Sequence, residues 1–301
     1  MVKNNSHYFA AFCLIVIVFL LWFLNLDKNQ FFPYKFSASS QERSNQAVDI
    51  KTTKELISLF NKSKFDQSLM EKNIIPNVFV KSIPADIKSI NNIQDKKNIF
   101  IRLMLPIIKA EQKLLRQQRI IAKLILENRQ QLTQPNVIHW FDRVKTEYKI
   151  PSKLNYSEQK DELLKRLDDL PLTLILAQAA IESAWGTSRF ALEGNSLFGQ
   201  WSFDNSEGII PARRNAGKSH RIKAFPTLQA SIRSYLKNIN RNKAYKELRE
   251  DRAVMRLQKE NLNAHKLAKR LHRYSQKGKQ YVKIIQRLLK STDFKNLERF
   301  N

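Results

Sequence analysis

From Leu174 to Gly186 the chain reads Leu-Ile-Leu-Ala-Gln-Ala-Ala-Ile-Glu-Ser-Ala-Trp-Gly, and before Glu182 every side chain except Gln178 is apolar or small. A helix that is apolar all round has no face to offer water, so this segment must cross an interior and be wrapped by other elements. Hydrophobic positions recurring at about 3.6 residues point to those elements. They place a helix over 97–130, with Phe100, Leu103, Leu105, Ile107, Ile108, Leu114, Leu115, Ile120, Ile121, Leu124 and Ile125 as its apolar positions. Pro106 is expected to start a new helix there or to kink the existing one. Further helices are expected over 135–148, 157–167, 172–185 and 228–238, with several more after Lys243. Strand-like alternation is confined to 208–212 and 221–225, a candidate small hairpin. No fixed-period repeat is visible, which argues against a solenoid.

Glu182 is the anomaly of the interior helix. At 100° per residue it shares a stripe with Ile175, Gln178 and Trp185. Low dielectric and the negative end of the helix dipole both oppose its ionisation and should raise its pKa. That is the setting of a general acid. The plainer alternative is a glutamate that reaches solvent or pairs with an arginine such as Arg189. Gly186 suits a left-handed helix terminator, and Thr187 or Ser188 can cap the next helix. Ser183 invites a nucleophile reading, but no histidine follows at a suggestive spacing.

Tyr8 to Leu24 contains no charge and no proline, which is at the short end for a spanning helix. A cleaved signal would have a shorter apolar core and a small-x-small site beyond it, whereas here Asn25-Leu26-Asp27-Lys28 follows. Residues 1–26 therefore read as an uncleaved signal-anchor that exports the rest, and residues 27–50, polar and without period, read as a linker. A helical N-terminal region over 51–134 and a main domain over 135–301 complete the organisation. The chain has 53 Lys and Arg against 27 Asp and Glu, a formal charge of +26, which attracts some polyanion. Export turns that expectation from nucleic acid to lipid headgroups and acidic glycan. Cys13, the single cysteine, lies in the apolar run, so disulfides and thiolate chemistry are excluded from the exported part.

The run Ala179-Ala180-Ile181-Glu182-Ser183-Ala184-Trp185-Gly186-Thr187-Ser188-Arg189-Phe190-Ala191, followed by Gly194-Asn195-Ser196-Leu197-Phe198-Gly199-Gln200-Trp201, closely resembles the glucosaminidase family of peptidoglycan hydrolases. Its pattern is A-x-x-E-S-x-W-G-x-S and then N-x-L-F-G. Lys97 to Ile108, Phe225 to Tyr235 and Leu267 to Tyr281 extend the likeness, and within the family they resemble the Bax branch. The resemblance covers about 97–289. It implies a mainly α, lysozyme-like α+β domain with a small hairpin lobe, which cleaves peptidoglycan after N-acetylglucosamine with Glu182 as the acid. Together with the signal-anchor reading of Tyr8–Leu24, a bacterial inner-membrane protein with its catalytic domain in the periplasm is expected. No cofactor is implied, and nucleic acid is not an expected partner.

Substrate contacts are expected from Gln178, Trp185, Asn195, Phe198, Trp201 and His220, with core packing the competing role for Trp185 and Phe198. Glycosidases commonly use a second carboxylate. Between Glu182 and Tyr235 the remaining acids are Glu193, Asp204 and Glu207, and where the Bax branch is expected to carry an acid after a histidine this chain has His220-Arg221. Three readings stay open: Glu207 is the second carboxylate, the substrate's N-acetyl group attacks with Tyr274 or Tyr281 holding it, or activity is weakened. The enzymatic rivals are a muramidase and a lytic transglycosylase, and the non-enzymatic rival is a wall-binding protein. A zinc amidase is disfavoured, because His7, His139, His220, His265 and His272 lack metal-ligand spacing.

Overall fold

The computed structural model describes residues 47–65, 72, 74–127, 135–202, 208–210 and 221–301. The segment Tyr8–Leu24 lies outside them, and among the described residues no helix is long and apolar enough to cross a membrane. Residues 47–301 form one unit. It is mainly helical, with helices α1 (Thr53–Lys62), α2 (Ile93–Glu127), α3 (Pro135–Glu147), α4 (Tyr156–Arg166), α5 (Leu172–Glu182), α6 (Arg189–Gly194), α7 (Leu228–Arg241), α8 (Lys246–Leu257), α9 (Ala264–Ala268), α10 (Lys279–Leu289) and α11 (Thr292–Lys295). Short 3₁₀ turns at Ala85–Ser89, Lys243–Tyr245, Lys269–Leu271 and Glu298–Phe300 join some of them.

The interior helix is α5. Every side chain from Leu172 to Ala180 is buried, and α2, α7 and α10 surround the axis it defines, α2 and α10 packing directly on α5 and α7 on α2. The long helix α2 runs through Pro106 without a break, so of the two expected outcomes no new helix starts there. A proline in a helix interior costs about 3 kcal/mol, and here Met104, Leu105, Ile107 and Ile108 around it are all fully buried, so packing holds the helix together. Only the middle of α2 is buried on most sides. Towards its C-terminus the expected apolar positions Ile120 and Leu124 are 56% and 53% exposed, while Ala122, Ile125 and Leu126 face inward.

The hairpin also departs from expectation. The two-stranded antiparallel sheet pairs β1 (Trp201–Ser202) with β2 (Arg221–Ile222), Trp201 opposite Ile222. From 208–212 only an isolated bridge, Ile209 to Ile222, survives among the described residues. Gly208 explains the close approach, since a Cβ there would lie 2.6 Å from the Ile222 carbonyl oxygen and its φ is +109°. Alternation is a weak signal over segments this short, and glycine at a crowded position replaces strand regularity.

Candidate active site

Helix α5 stops at Glu182, not at Trp185. Ala184, Trp185 and Gly186 all take left-handed backbone angles, with φ of 50°, 58° and 80°. Such a conformation costs a non-glycine residue about 1–3 kcal/mol and persists only where its surroundings enforce it. Ser183 is the fastener: its hydroxyl donates to the Ala179 carbonyl at 2.6 Å and accepts the Gly186 N–H at 2.9 Å. That double use, with complete burial, explains Ser183 without a nucleophilic role. A Cβ on Gly186 would meet Ile83 Cδ1 at 2.9 Å and the Phe100 ring at 3.0 Å, so the turn is pressed onto the core. Ser188 then caps α6, accepting the Ala191 N–H. Because the helix ends early, Trp185 leaves the stripe of Glu182; its ring meets those of Phe100 and Phe294 edge-on, with the Lys97 ammonium 5.3 Å from its centroid.

Glu182 remains on one side with Gln178, one turn earlier. Gln178 is fully buried and donates from Nε2 to the Tyr281 hydroxyl at 2.9 Å, while its Oε1 accepts the Tyr235 hydroxyl. Tyr281, at the start of α10, acts on the Glu182 carboxyl in the direction that favours its ionised form. Burial pushes the Glu182 carboxyl above the ordinary glutamate range, and the Tyr281 hydrogen bond and the Lys277 ammonium pull it partly back. Among the described residues, the groups that shift it include no second carboxylate. Arg189, the partner that would have made Glu182 structural, instead donates to the Ile210 carbonyl and lies 3.6 Å from Glu193.

A phenol cluster encloses the acid. Tyr281 stacks on Tyr274 at 5.4 Å, Tyr274 meets Tyr235 edge-on, and Tyr235 stacks on Phe198 at 4.1 Å. Burial raises the pKa of Tyr235, Tyr274 and Tyr281, and that of Tyr245 to about 12, with the Glu182 charge acting in the same direction on each. All four therefore stay protonated and act as neutral donors. Tyr274 donates to the Phe198 carbonyl at 3.0 Å, which ties the Asn195–Gly199 loop to the site. Gly199 ends that loop at φ +59°, and a Cβ there would lie 3.8 Å from Glu182 Oε2.

The other expected contacts are placed less uniformly. Asn195 is the left-handed cap of α6 and gives its Nδ2 to the Phe225 carbonyl. Phe198 is buried in the phenol cluster, whereas Trp201 on β1 is 50% exposed. Glu207 and His220 lie outside the described residues. Arg221, on β2, donates to the Gly208 carbonyl at 3.4 Å. Among the described residues no group of His, Cys, Asp or Glu is arranged to hold a metal ion.

Sequence reasoning missed Tyr235, Lys277 and Gly199 as parts of this site. Tyr235 reads as a core position of an amphipathic helix, and the signal available was that a buried phenol must find an acceptor. It also missed a second buried charged cluster at the other end of α5. There Asp168 and Asp169 meet Arg116, Arg119, Arg252 and Arg256. Arg252, fully buried, donates to the carbonyls of Lys165, Asp168 and Asp169 and to Asn240. Burial opposes the Asp168 charge, yet the guanidiniums of Arg252, Arg256 and Arg119 hold its carboxyl below the usual range.

With this geometry in view, residues 158–293 match the family model Glucosaminidase, described as mannosyl-glycoprotein endo-beta-N-acetylglucosaminidase. The matched span takes in α5, its terminal turn, the hairpin and the phenols of α7 and α10. Over that span, less than half of its length, the chain resembles the glucosaminidase family. It is similar to Protein bax of Escherichia coli (strain K12), 34% identical over 119 residues, or 40% of this chain and 42% of that protein. The match thus spans less than half the length of the relative. No solved structure matches significantly.

Proposed function

We propose that the protein is a peptidoglycan hydrolase, an N-acetylglucosaminidase of lysozyme-like architecture that cleaves the glycan strand with Glu182 as general acid. The observation that carries this reading is a carboxyl at the end of an interior helix, raised by burial, within the stretch matched by the family. A raised pKa favours the protonated form of the acid, and low dielectric favours delivery of the proton to the leaving glycosidic oxygen. Tyr281 then stabilises the carboxylate left behind. For the group at the anomeric carbon we favour Glu207 as second carboxylate. The Tyr274 hydroxyl proton is committed to the Phe198 carbonyl, so it is not spare to hold the substrate's N-acetyl arm.

Digestion of purified sacculi by the full-length protein, with products identified by mass, tests the reading. New reducing ends on N-acetylglucosamine are expected; new ends on N-acetylmuramic acid, or an anhydro product, would assign the site to a muramidase or lytic transglycosylase. Glu182→Gln should keep the fold and lower turnover by about 10²–10⁴. Undiminished turnover would remove Glu182 from the mechanism and leave a wall-binding role for the acid-poor, basic surface.

We also place the protein at the inner membrane through Tyr8–Leu24, with the matched domain in the periplasm and the excess Lys and Arg holding anionic glycan. Fractionation should find it with membranes, and binding to sacculi should weaken as salt shortens the Debye length from about 10 Å to about 3 Å. A mature form starting beyond Leu24 in the soluble periplasm would overturn the anchor.

A further inference from the structure

We infer that the outward face of α10 is a docking surface for the carboxylate-bearing peptides of the wall polymer, so that the protein prefers strands carrying acidic peptides over neutral ones. This deepens the reading of the site given above and rests on it for the identity of the polymer.

From Asn261 to Thr292 the chain contains no Asp or Glu, although Lys and Arg recur throughout. Helix α8, by contrast, mixes Glu247, Glu250 and Asp251 with its cations, and Arg270 turns to it, donating to Glu247 and Asp251. On α10 the cations have no such outlet. Lys279, Lys283, Arg287 and the C-cap Lys290 are exposed, and among the described residues no carboxylate forms an ion pair with any of them. At 100° per residue the four fall within an arc of about 80°. Tyr281, Ile285 and Leu289 occupy the opposite side and are buried, so the core fixes which way the stripe faces. Lys279 with Lys283, and Lys283 with Arg287, are like charges at i,i+4. That arrangement weakens a helix on its own, and a polyanion laid along the stripe neutralises it.

Spacing and position select the partner. Successive cations stand three or four residues apart, about 4.5–6 Å along the axis. An extended peptide advances about 3.3–3.6 Å per residue, so carboxylates on alternate residues recur about every 7 Å, within the adjustment of long, flexible basic side chains. Apart from Ile284 at its margin, the stripe lacks the broad apolar surface that a membrane-surface helix inserts among headgroups. The near end of the stripe adjoins the site. Tyr274 and Tyr281 bracket Lys277 and Lys279, and their hydroxyls bond the Phe198 carbonyl at 3.0 Å and Gln178 Nε2 at 2.9 Å. Gln178 lies one turn before Glu182. From Lys279 the stripe runs about 16 Å to Lys290. A strand held at Glu182 therefore has its attached peptide within reach of several cations at once, and weak contacts made together on one polymer reinforce each other.

The test compares intact sacculi with sacculi whose carboxylates have been converted to amides by carbodiimide and ammonia, using the full-length protein. Lys283→Gln, Arg287→Gln and Lys290→Gln are combined, since all three are exposed and stand at the far end of the stripe. On intact sacculi the combined variant should raise KM about tenfold with kcat retained, the scale that three exposed ion pairs allow. On amidated sacculi it should match the wild type, whose own KM there should be raised by a similar factor. Lys54→Gln, Lys113→Gln and Lys123→Gln together remove the same charge from exposed positions of α1 and α2 and should leave KM near the wild-type value. An equal loss in that control, an equal loss on both substrates, or an unmoved KM would overturn the proposal. Lost binding to phosphatidylglycerol vesicles with KM on sacculi unmoved would do so too, and would assign the face to lipid headgroups. Each single substitution should carry part of the same shift, which keeps the question decidable if the combined variant folds poorly. If the wild type cleaves no sacculi, the functional reading fails, while co-sedimentation of the same proteins with intact and amidated sacculi still decides the role of the stripe.

Discussion

The two ends of α5 both bury carboxylates, and the chain provides for them in opposite ways. Before the N-terminus, Asp168 and Asp169 are surrounded by Arg116, Arg119, Arg252 and Arg256, and the carbonyls between them are bonded as well. At the C-terminus, the influences that favour the Glu182 charge are the Tyr281 hydroxyl and the Lys277 ammonium, and burial outweighs them. Helix polarity adds to the contrast, because the N-terminal end favours negative charge and the C-terminal end penalises it. Burial alone therefore does not make a functional acid. The same interior lowers the Asp168 carboxyl while burial raises those of Asp169 and Glu182, and of the three only Glu182 has no guanidinium paired with it among the described residues.

The largest effect should come from the saturated end. Arg252→Met removes a buried guanidinium bonded to Lys165, Asp168, Asp169 and Asn240. Breaking a buried charged network from one side costs about 3–5 kcal/mol. Urea unfolding should show that loss, and a variant as stable as the wild type would mean that the Asp168 cluster is not the fixed end of the contrast.

Gly199→Ala tests the other end. At φ +59° a Cβ is strained by about 1–2 kcal/mol, and the methyl would also sit against Glu182 Oε2, displacing water and raising the acid further. Thermal unfolding should fall accordingly, and the alkaline limb of the activity profile should move to higher pH. An unmoved limb would show that the Oε2 face of the carboxyl is not its access to solvent.

Much of this was legible in the sequence because burial dictates composition. A segment such as Leu174–Ile181 has no alternative to an interior helix, and the pairing of Gln178 with Glu182 on one side follows from 3.6 residues per turn. The helix end was misjudged because Ser183, Ala184 and Trp185 carry no breaking signal of their own. It is Ser183, bonded on both sides, that turns the chain, and a serine of this kind is indistinguishable in sequence from one pointing into solvent. Pro106 misled in the opposite sense, since a local rule was overridden by the fully buried neighbours that surround it. The partners of Asp168 were unreadable for a third reason. Arg252 and Arg256 lie more than eighty positions away, and a basic residue in a strongly basic chain gives no sign that it is buried.

A smaller effect is expected where α5 begins. Its N-cap, Pro171, offers no side-chain bond, and Asn301 Oδ1 instead accepts the Thr173 N–H and hydroxyl, each at 3.0 Å. Asn301→Ala should cost about 1 kcal/mol, the typical value of a lost cap. Its effect on sacculus turnover should be slight, since the start of α5 bears on stability and its end on chemistry. A loss of turnover larger than the loss of stability would blur that division.

The smallest effect is also the most discriminating, because the pKa shifts behind it have opposite signs at the two ends. The folded-state pKa of Glu182 is raised above the unfolded value of about 4.3. Below that value both states are protonated and ionisation penalises neither; as pH rises through the folded pKa, the wild type must either ionise a buried carboxyl or hold a proton against solution. Glu182→Gln escapes this, so its melting temperature relative to the wild type should rise between pH 4 and pH 7.5. Asp168 runs the other way. Its folded pKa is depressed, so its contribution is present above the unfolded Asp value and lost as pH falls through the folded one. Asp168→Asn should therefore fall further behind the wild type as pH rises towards the unfolded Asp value of about 3.9, with little further change up to pH 7.5. Calorimetric scans of both variants at the two pH values decide the matter. Differences that run in parallel would mean that the two ends of α5 hold their carboxylates alike, and the case for Glu182 as a poised acid would lose its physical basis.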